Sequence, residues 1–207
     1  NLEHCVNGVV LFPLGLCKKT LWADSFAPFA NAVFGGVQRG EIPTIYEAWC
    51  GALAYAMQIY FDFSGYTDMA LGVALMFNIR LPINFCSPYK STSIIDFWRR
   101  WHITLSRFLR DYLYIPLGGN RGGVVRRYFN LMVVMLLGGL WHGASWLFVV
   151  WGGLHGLYLI VNHAFRYLKL RFAIDSGALA GAFRLFSLLV FPAVVVSWVF
   201  FRAESWS

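Results

Sequence analysis

Charged side chains are too scarce in this sequence to cover a soluble protein surface. Asp, Glu, Lys and Arg make up 13% of the 207 residues, and apolar residues make up 58%. An ordinary soluble domain carries roughly 25% charged residues. Because so little polar surface cannot enclose a soluble core, we expect the chain to lie in lipid. The same composition excludes disordered, collagen-like, coiled-coil and disulfide-scaffold proteins.

Long apolar stretches predict an all-α fold, namely a polytopic bundle of transmembrane helices. A helix needs about 20 mostly apolar residues to cross a bilayer. Candidate spans cover residues 6–16 (closed by Lys18 and Lys19), 48–78, 128–141, 146–163 and, after a polar stretch at 175–177, 183–201. The second stretch is too long for one span, so we expect a break near Gly65. No start methionine opens the chain, which we therefore interpret as part of a longer membrane protein.

The charge that the chain does carry is concentrated in one segment. Residues 80–127 hold nine basic and two acidic side chains, which accounts for the whole net charge of +7. Under the positive-inside rule this basic segment lies on the cytoplasmic side. Ser93 and Asp96 have the spacing of a capping box, which predicts a basic amphipathic surface helix that continues to Tyr112. Contact with lipid or cofactor phosphates is favoured over nucleic acid.

The first candidate for chemistry is His142, which lies in an apolar stretch among small residues and between two tryptophans. Desolvation would keep this imidazole neutral, and a neutral imidazole can accept a proton from an attacking hydroxyl. The alternative is a core histidine that is hydrogen-bonded to a neighbouring helix. Ionisable residues inside a membrane are usually functional, so the sequence favours the catalytic interpretation.

His102 is the second candidate, in the predicted basic helix. Ser106 follows at the i+4 position, so a hydrogen bond between the two side chains is possible. A Ser-His-Asp triad is not indicated, because no carboxylate stands three or four residues from His102. A catalytic histidine and an ordinary interfacial histidine are equally compatible with this pattern.

The other polar groups of the apolar stretches suggest structural roles. Asp62 and Asp68 are expected to cap helices or to pair with Arg80, and His155 is expected to pack between helices. His4 and His163 lie near the ends of spans and give no functional indication. The cysteines at positions 5, 17, 50 and 86 are expected to be buried free thiols, with no metal site.

Four motifs together resemble the membrane-bound O-acyltransferase family, and its alginate O-acetyltransferase branch in particular. They lie at residues 58–66, 97–102, 110–120 and 138–146, and the likeness extends over about residues 1–166. The resemblance implies a partial transmembrane domain over residues 1–207 whose helices enclose a tunnel. It places the catalytic-histidine spans at about 128–166, with His142 as the central histidine and His102 as the second.

The resemblance also implies a reaction. An acetyl group from a cytoplasmic thioester, acetyl-CoA, would cross the bacterial inner membrane to an exopolysaccharide such as alginate, with a periplasmic acetyltransferase as partner and no permanently bound cofactor. The guanidinium groups of four arginines would hold the CoA phosphates or, equally, anionic lipid: Arg99, Arg100, Arg107 and Arg110. Direct transfer and an acyl-imidazole intermediate both stay open. The alternatives are transfer of D-alanine or another acyl group from a carrier protein, and a polysaccharide export channel.

Overall fold

The computed structural model describes residues 1–171 and 187–204, and in these ranges all regular structure is helical. The predicted all-α class is therefore confirmed. The helices run in the order α1 (Leu2–Cys17), a π-helical turn (Lys18–Ala23), α2 (Asp24–Gln38), α3 (Ile45–Met76), a 3₁₀ turn (Pro88–Lys90), α4 (Ile94–Arg100), α5 (Ile103–Phe108), a second π-helical turn (Leu109–Tyr114), α6 (Gly123–His142), α7 (Trp146–Arg171) and α8 (Val190–Arg202).

Two of the helices in these ranges, α6 and α7, are long and apolar enough to cross a bilayer. They contain the predicted spans at 128–141 and 146–163. The predicted polar stretch at 175–177 and the expected start of the last span at 183 lie outside the described residues. Helix α8 occupies the C-terminal part of that last span and is short and apolar.

The first of two compact units comprises Asn1–Phe85 and the chain from Arg202 onward. Here α1, the π-helical turn and α2 follow one another without a break and pack antiparallel against α3. The first α-helix ends as expected, at Cys17 with Lys18 as its C-cap, but the helical path continues through the π-helical turn into α2. These lysines lie in the π-helical turn and pair with α3, Lys18 with Asp68 at 2.5 Å and Lys19 with Asp62.

The predicted break near Gly65 is also wrong, because α3 continues through it as one helix of 32 residues. A Cβ added to Gly65 would lie 2.6 Å from the carbonyl oxygen of Gly15, and Gly8 approaches Gly72 in the same way. The glycines therefore bring two helix backbones together instead of ending a helix. Asp62 and Asp68 have the expected structural role, but their partners are lysines and not Arg80, which contacts His4.

The second unit comprises Cys86–Phe201. Its centre is an antiparallel hairpin of α6 and α7, whose backbones meet at two glycines. A Cβ on Gly139 would lie 2.2 Å from the Phe148 carbonyl oxygen, and one on Gly152 would lie 2.3 Å from that of Met135. Such a close approach requires residues without a side chain. The hairpin thereby fixes where the C-terminus of α6, with His142, lies.

The basic segment starts as predicted but does not form one helix. The Ser93 hydroxyl accepts the backbone N–H of Asp96 at 3.1 Å, which caps α4. The helix then ends at Trp101, and His102 adopts a left-handed backbone conformation with φ of 43° before α5 begins. Trp101 is buried in an aromatic cluster, so the tertiary packing of its ring accounts for the break that helical periodicity does not reveal.

The glycine-rich loop after the second π-helical turn is attached to α6 by one buried side chain. Asn130 is completely buried, and its amide nitrogen donates to the carbonyl oxygens of Leu117 and Gly119, both at 3.1 Å. Gly118 and Gly119 have φ of 102° and 53°, values that residues with a Cβ rarely adopt. The loop is therefore specified by its glycines and by a polar residue of the next helix.

The four cysteines are free, as expected, but all four are exposed instead of buried. A thiol behaves as a small apolar group. It therefore suits an apolar outer face of a helix as well as it suits a core. The expectation of burial fails because it assumed that an apolar side chain must face inward.

Substituting Gly65 tests the close contact between α1 and α3. We expect Gly65→Ala to lower stability by about 1–3 kcal/mol, the usual cost of an overpacked contact. The matched control is Gly35→Ala, whose new methyl group would meet only the Arg39 side-chain tip at 3.4 Å. Thermal unfolding in detergent micelles measures both. A Gly65→Ala protein that unfolds no earlier than wild type would contradict the close contact.

Candidate functional site

His142 is the last residue of α6 and is half-buried in a group of aromatic rings. The ring centroids of Phe201, Trp141 and Trp151 lie 4.9, 5.0 and 5.2 Å from that of His142. All three rings stand nearly perpendicular to the imidazole, at 70–87°. The aromatic contacts hold the imidazole plane in one orientation and cover part of its surface.

His102 comes from the basic segment, yet it lies within range of electrostatic interaction with His142. Its left-handed backbone conformation is unfavourable for a residue with a Cβ, and such strain is concentrated at functional sites. Burial lowers the pKa of His102, so its ring is neutral at physiological pH. The Ser106 hydroxyl, a possible partner of His102, donates instead to the Trp101 carbonyl oxygen at 3.4 Å. The two predicted histidines, which come from separate elements, thus lie within range of electrostatic interaction.

Another histidine, His155, lies behind His142 and is completely buried. The Trp151 ring contacts both imidazoles, with centroid distances of 5.2 Å to His142 and 4.9 Å to His155. Ser197 donates its hydroxyl hydrogen to the Val194 carbonyl oxygen at 2.7 Å, so its oxygen accepts from His155 Nε2 at 2.9 Å. This bond joins α7 to α8 and gives His155 the helix-packing role that the sequence predicts.

A basic cavity of about 490 Å³ lies beside α5. Three of the four predicted phosphate-binding arginines line it, together with Ser106, His163 and apolar side chains: Arg99, Arg107 and Arg110. Neither His102 nor His142 is among the lining residues. However, α5 begins directly after His102, which is its N-cap residue, and contributes Ser106 and Arg107 to the wall. One short helix therefore connects His102 to the cavity.

Arg100, the fourth predicted arginine, is not among the residues that line this cavity. Its Nε donates to the Asp96 carboxylate at 2.9 Å, one helical turn away, and this contact raises the pKa of Arg100. Arg110 is both at the cavity and paired with Asp111 at 2.7 Å, and the guanidinium lowers the pKa of that carboxyl group. Arg99 and Arg107 are exposed.

An apolar cavity of about 210 Å³ adjoins the basic one. The two share four wall residues, namely Trp98, Ser106, Arg110 and Leu159. Leu131, Val134 and Met135 of α6 complete the apolar part. A ligand with an anionic group at one end and an apolar arm at the other would match this pair of cavities.

Sequence reasoning missed His163, which lies in the wall of the basic cavity. Its position near the end of a predicted span made it unremarkable. The available signal was that Asn162 and His163 are adjacent polar residues at the end of a predicted membrane span, where polar side chains are usually functional. Among the described residues, no group of His, Cys, Asp and Glu side chains could hold a metal ion.

Comparison with known proteins gives a family match over nearly all of the chain. The model of the membrane-bound O-acyltransferase family matches residues 13–200. A peptidoglycan O-acetyltransferase of Helicobacter pylori is 48% identical over 205 residues, which cover 99% of this chain and 37% of that protein. The "Probable alginate O-acetylase AlgI" of Azotobacter vinelandii is 50% identical over 204 residues, with 99% and 38% covered.

A less similar relative is named for the transfer of a different group, D-alanine. A teichoic acid D-alanyltransferase of Streptococcus thermophilus is 35% identical over 121 residues, which cover 53% of this chain and 28% of that protein. This chain thus spans less than two fifths of the length of each of these three relatives.

Removal of the Ser197 hydroxyl tests the contact behind the site. Ser197→Ala leaves the buried Nε2–H of His155 without its acceptor, which should cost about 1–3 kcal/mol of stability. Ser25→Ala is the control because Ser25 is exposed and its hydroxyl donates to the carbonyl oxygen of Leu21, four residues earlier. Chemical denaturation in micelles compares the two. If both variants were equally stable, His155 would not depend on Ser197.

Proposed function

This chain belongs to the membrane-bound O-acyltransferase family, and from that premise we propose that it transfers an acetyl group from a cytoplasmic thioester, acetyl-CoA, toward a cell-surface polysaccharide. The acceptor would be an exopolysaccharide such as alginate, reached across the bacterial inner membrane by a multi-pass protein. A periplasmic acetyltransferase would complete the transfer. The observation that carries the proposal is that His102 and His142, which come from separate elements, lie within range of electrostatic interaction.

His142 would act as the general base. The acceptor oxygen attacks the thioester carbonyl carbon while its proton passes to the neutral imidazole. The C–S bond then breaks, and the imidazolium returns the proton to the departing thiolate, so that the ring is regenerated. The perpendicular contacts of Trp151 and Phe201 support this role because they leave the ring little freedom to turn away.

His102 would stabilise the oxyanion that forms at the carbonyl oxygen. Such a donor typically accelerates a reaction by about 10²–10³-fold. The backbone N–H of Gly143 is a poorer candidate, since it donates to the Leu140 carbonyl oxygen at 3.3 Å. The neutral state and the strained backbone of His102 support its assignment.

The basic cavity would hold the phosphates of the donor, through Arg99, Arg107 and Arg110. Guanidinium groups form charge-assisted, often bidentate hydrogen bonds with phosphate. The adjoining apolar cavity suits the less polar arm that carries the thioester. The similarity to a D-alanyltransferase makes D-alanine on a carrier protein the second candidate donor. Parallel assays with the two thioesters decide between them.

Removing the general base should abolish transfer without preventing membrane insertion. We expect His142→Ala to lower polymer acetylation at least about a hundredfold, which is the usual contribution of a general base. His4→Ala is the control, since it removes an exposed imidazole from the other unit. Acetyl groups per sugar are measured in cells that produce each variant.

Near wild-type acetylation in the His142→Ala variant would refute the catalytic assignment. The alternative export channel predicts a different pattern from the same cells. Polymer secretion would then fall, while the number of acetyl groups per sugar stayed constant.

Donor binding is tested at the cavity wall. Arg107→Gln should raise KM for acetyl-CoA about tenfold, the effect of losing one charge-assisted hydrogen bond, with kcat within about twofold. Arg100→Gln should have a smaller effect because that side chain is paired with Asp96. Arg39→Gln is the control, an exposed arginine of the other unit. Initial rates in purified membranes give both constants, and an unchanged KM for Arg107→Gln would remove the cavity from the donor site.

A further inference from the structure

The wall of the basic cavity contains one side chain whose hydrogen-bonding direction is determined by its neighbour. His163 of α7 contacts the guanidinium of Arg127 through Nδ1. A guanidinium has only donors, so the imidazole nitrogen that faces it must accept. An imidazole that accepts at one nitrogen is neutral and carries its hydrogen on the other nitrogen. His163 therefore has an Nε2–H donor.

Arg127 itself lies beside the second π-helical turn and the glycine-rich loop. The Tyr114 hydroxyl donates to the Asn120 side-chain oxygen at 2.6 Å, and the Arg127 guanidinium lies close enough to Tyr114 to act against the rise in the pKa of its phenol. In this series of side chains, Arg127 donates to His163 and Tyr114 donates to Asn120. Burial raises the pKa of Tyr114, so the phenol stays protonated and keeps that direction.

We propose that His163 is a further donor-binding residue, which uses its Nε2–H to bind a phosphate group of the acyl donor beside Arg99, Arg107 and Arg110. The inference rests on the proposed function, since it takes the basic cavity as the donor site. His163 and these three arginines line the same cavity. The three arginines attract any anion through their charge. The neutral Nε2–H of His163 adds a hydrogen bond with a defined direction.

This arrangement also gives Arg127 a function. Arg127 acts through another side chain and is thus a positioning residue. Its contact determines which nitrogen of His163 carries the hydrogen, as a hydrogen bond at one imidazole nitrogen generally does for the other. The Asn120–Tyr114–Arg127 series would in this way connect the conformation of the glycine-rich loop to phosphate binding.

Two substitutions at position 163 separate the donor function from simple packing. His163→Phe keeps a ring of similar size and removes both nitrogens, whereas His163→Gln retains a neutral N–H near the position of Nε2. For the full-length protein in purified membranes, we expect Phe to raise KM for acetyl-CoA about tenfold with kcat within about twofold. Gln should restore KM to within about threefold of wild type. A purely structural role would instead lower kcat and protein yield in both variants.

Binding measurements identify the phosphate. Purified protein in neutral detergent is titrated with coenzyme A, with 4′-phosphopantetheine and with phosphatidylglycerol. His163→Phe should weaken binding of the first two about tenfold and leave binding of phosphatidylglycerol unchanged. Loss of phosphatidylglycerol binding alone would overturn the inference and make the cavity a lipid site.

The two proposals can fail independently. If Arg107→Gln raises KM while His163→Phe leaves both KM and coenzyme A binding unchanged, only the role of His163 is wrong. If neither variant changes KM or coenzyme A binding, the cavity is not the donor site and the proposed function loses its donor assignment as well.

Discussion

The constraint on which this structure depends is that a polar side chain in an apolar chain must find its partner within the protein. Lipid offers no hydrogen bonds, so an unpaired polar group there costs several kcal/mol. Several of the described polar groups are paired in this way, among them Lys18 with Asp68 and His155 with Ser197. Asn130 donates hydrogen bonds to two carbonyl oxygens of a neighbouring loop. Each pair also joins two elements, so satisfying the polar groups contributes to fixing the tertiary structure.

Close contact between helix backbones is the second feature on which the structure depends, and it helps polar side chains to reach their partners. Glycines bring α1 against α3 in one unit and α6 against α7 in the other. At Gly65 this contact brings Lys18 and Lys19 beside α3, where Asp68 and Asp62 pair with them. In the other unit, α6 carries His142 and α7 carries His155, and the Trp151 ring contacts both. The orientation of His142, the proposed catalytic residue, therefore depends on these contacts and not on α6 alone.

The candidate site contains two different environments, one around His142 and one in the basic cavity. The His142 ring lies among aromatic rings, where a neutral base is favoured, and the arginines lie in a cavity that suits anions. Helix α5 connects His102 to this cavity, since it starts directly after that strained residue and contributes Arg107 to the cavity wall. The proposed acyl donor, with phosphates at one end and a thioester at the other, would require this kind of separation.

The sequence by itself determined the all-α class, the two apolar helices α6 and α7, the cap at Ser93 and the concentration of basic charge, because each is a local property of composition or spacing. Only the tertiary structure decided that Gly65 joins helices, that the chain breaks at His102, that the cysteines are exposed and that Arg100 lies outside the basic cavity. It also revealed His163. These features depend on which residues from distant segments meet, and periodicity along one helix contains no record of the neighbour that packs against it.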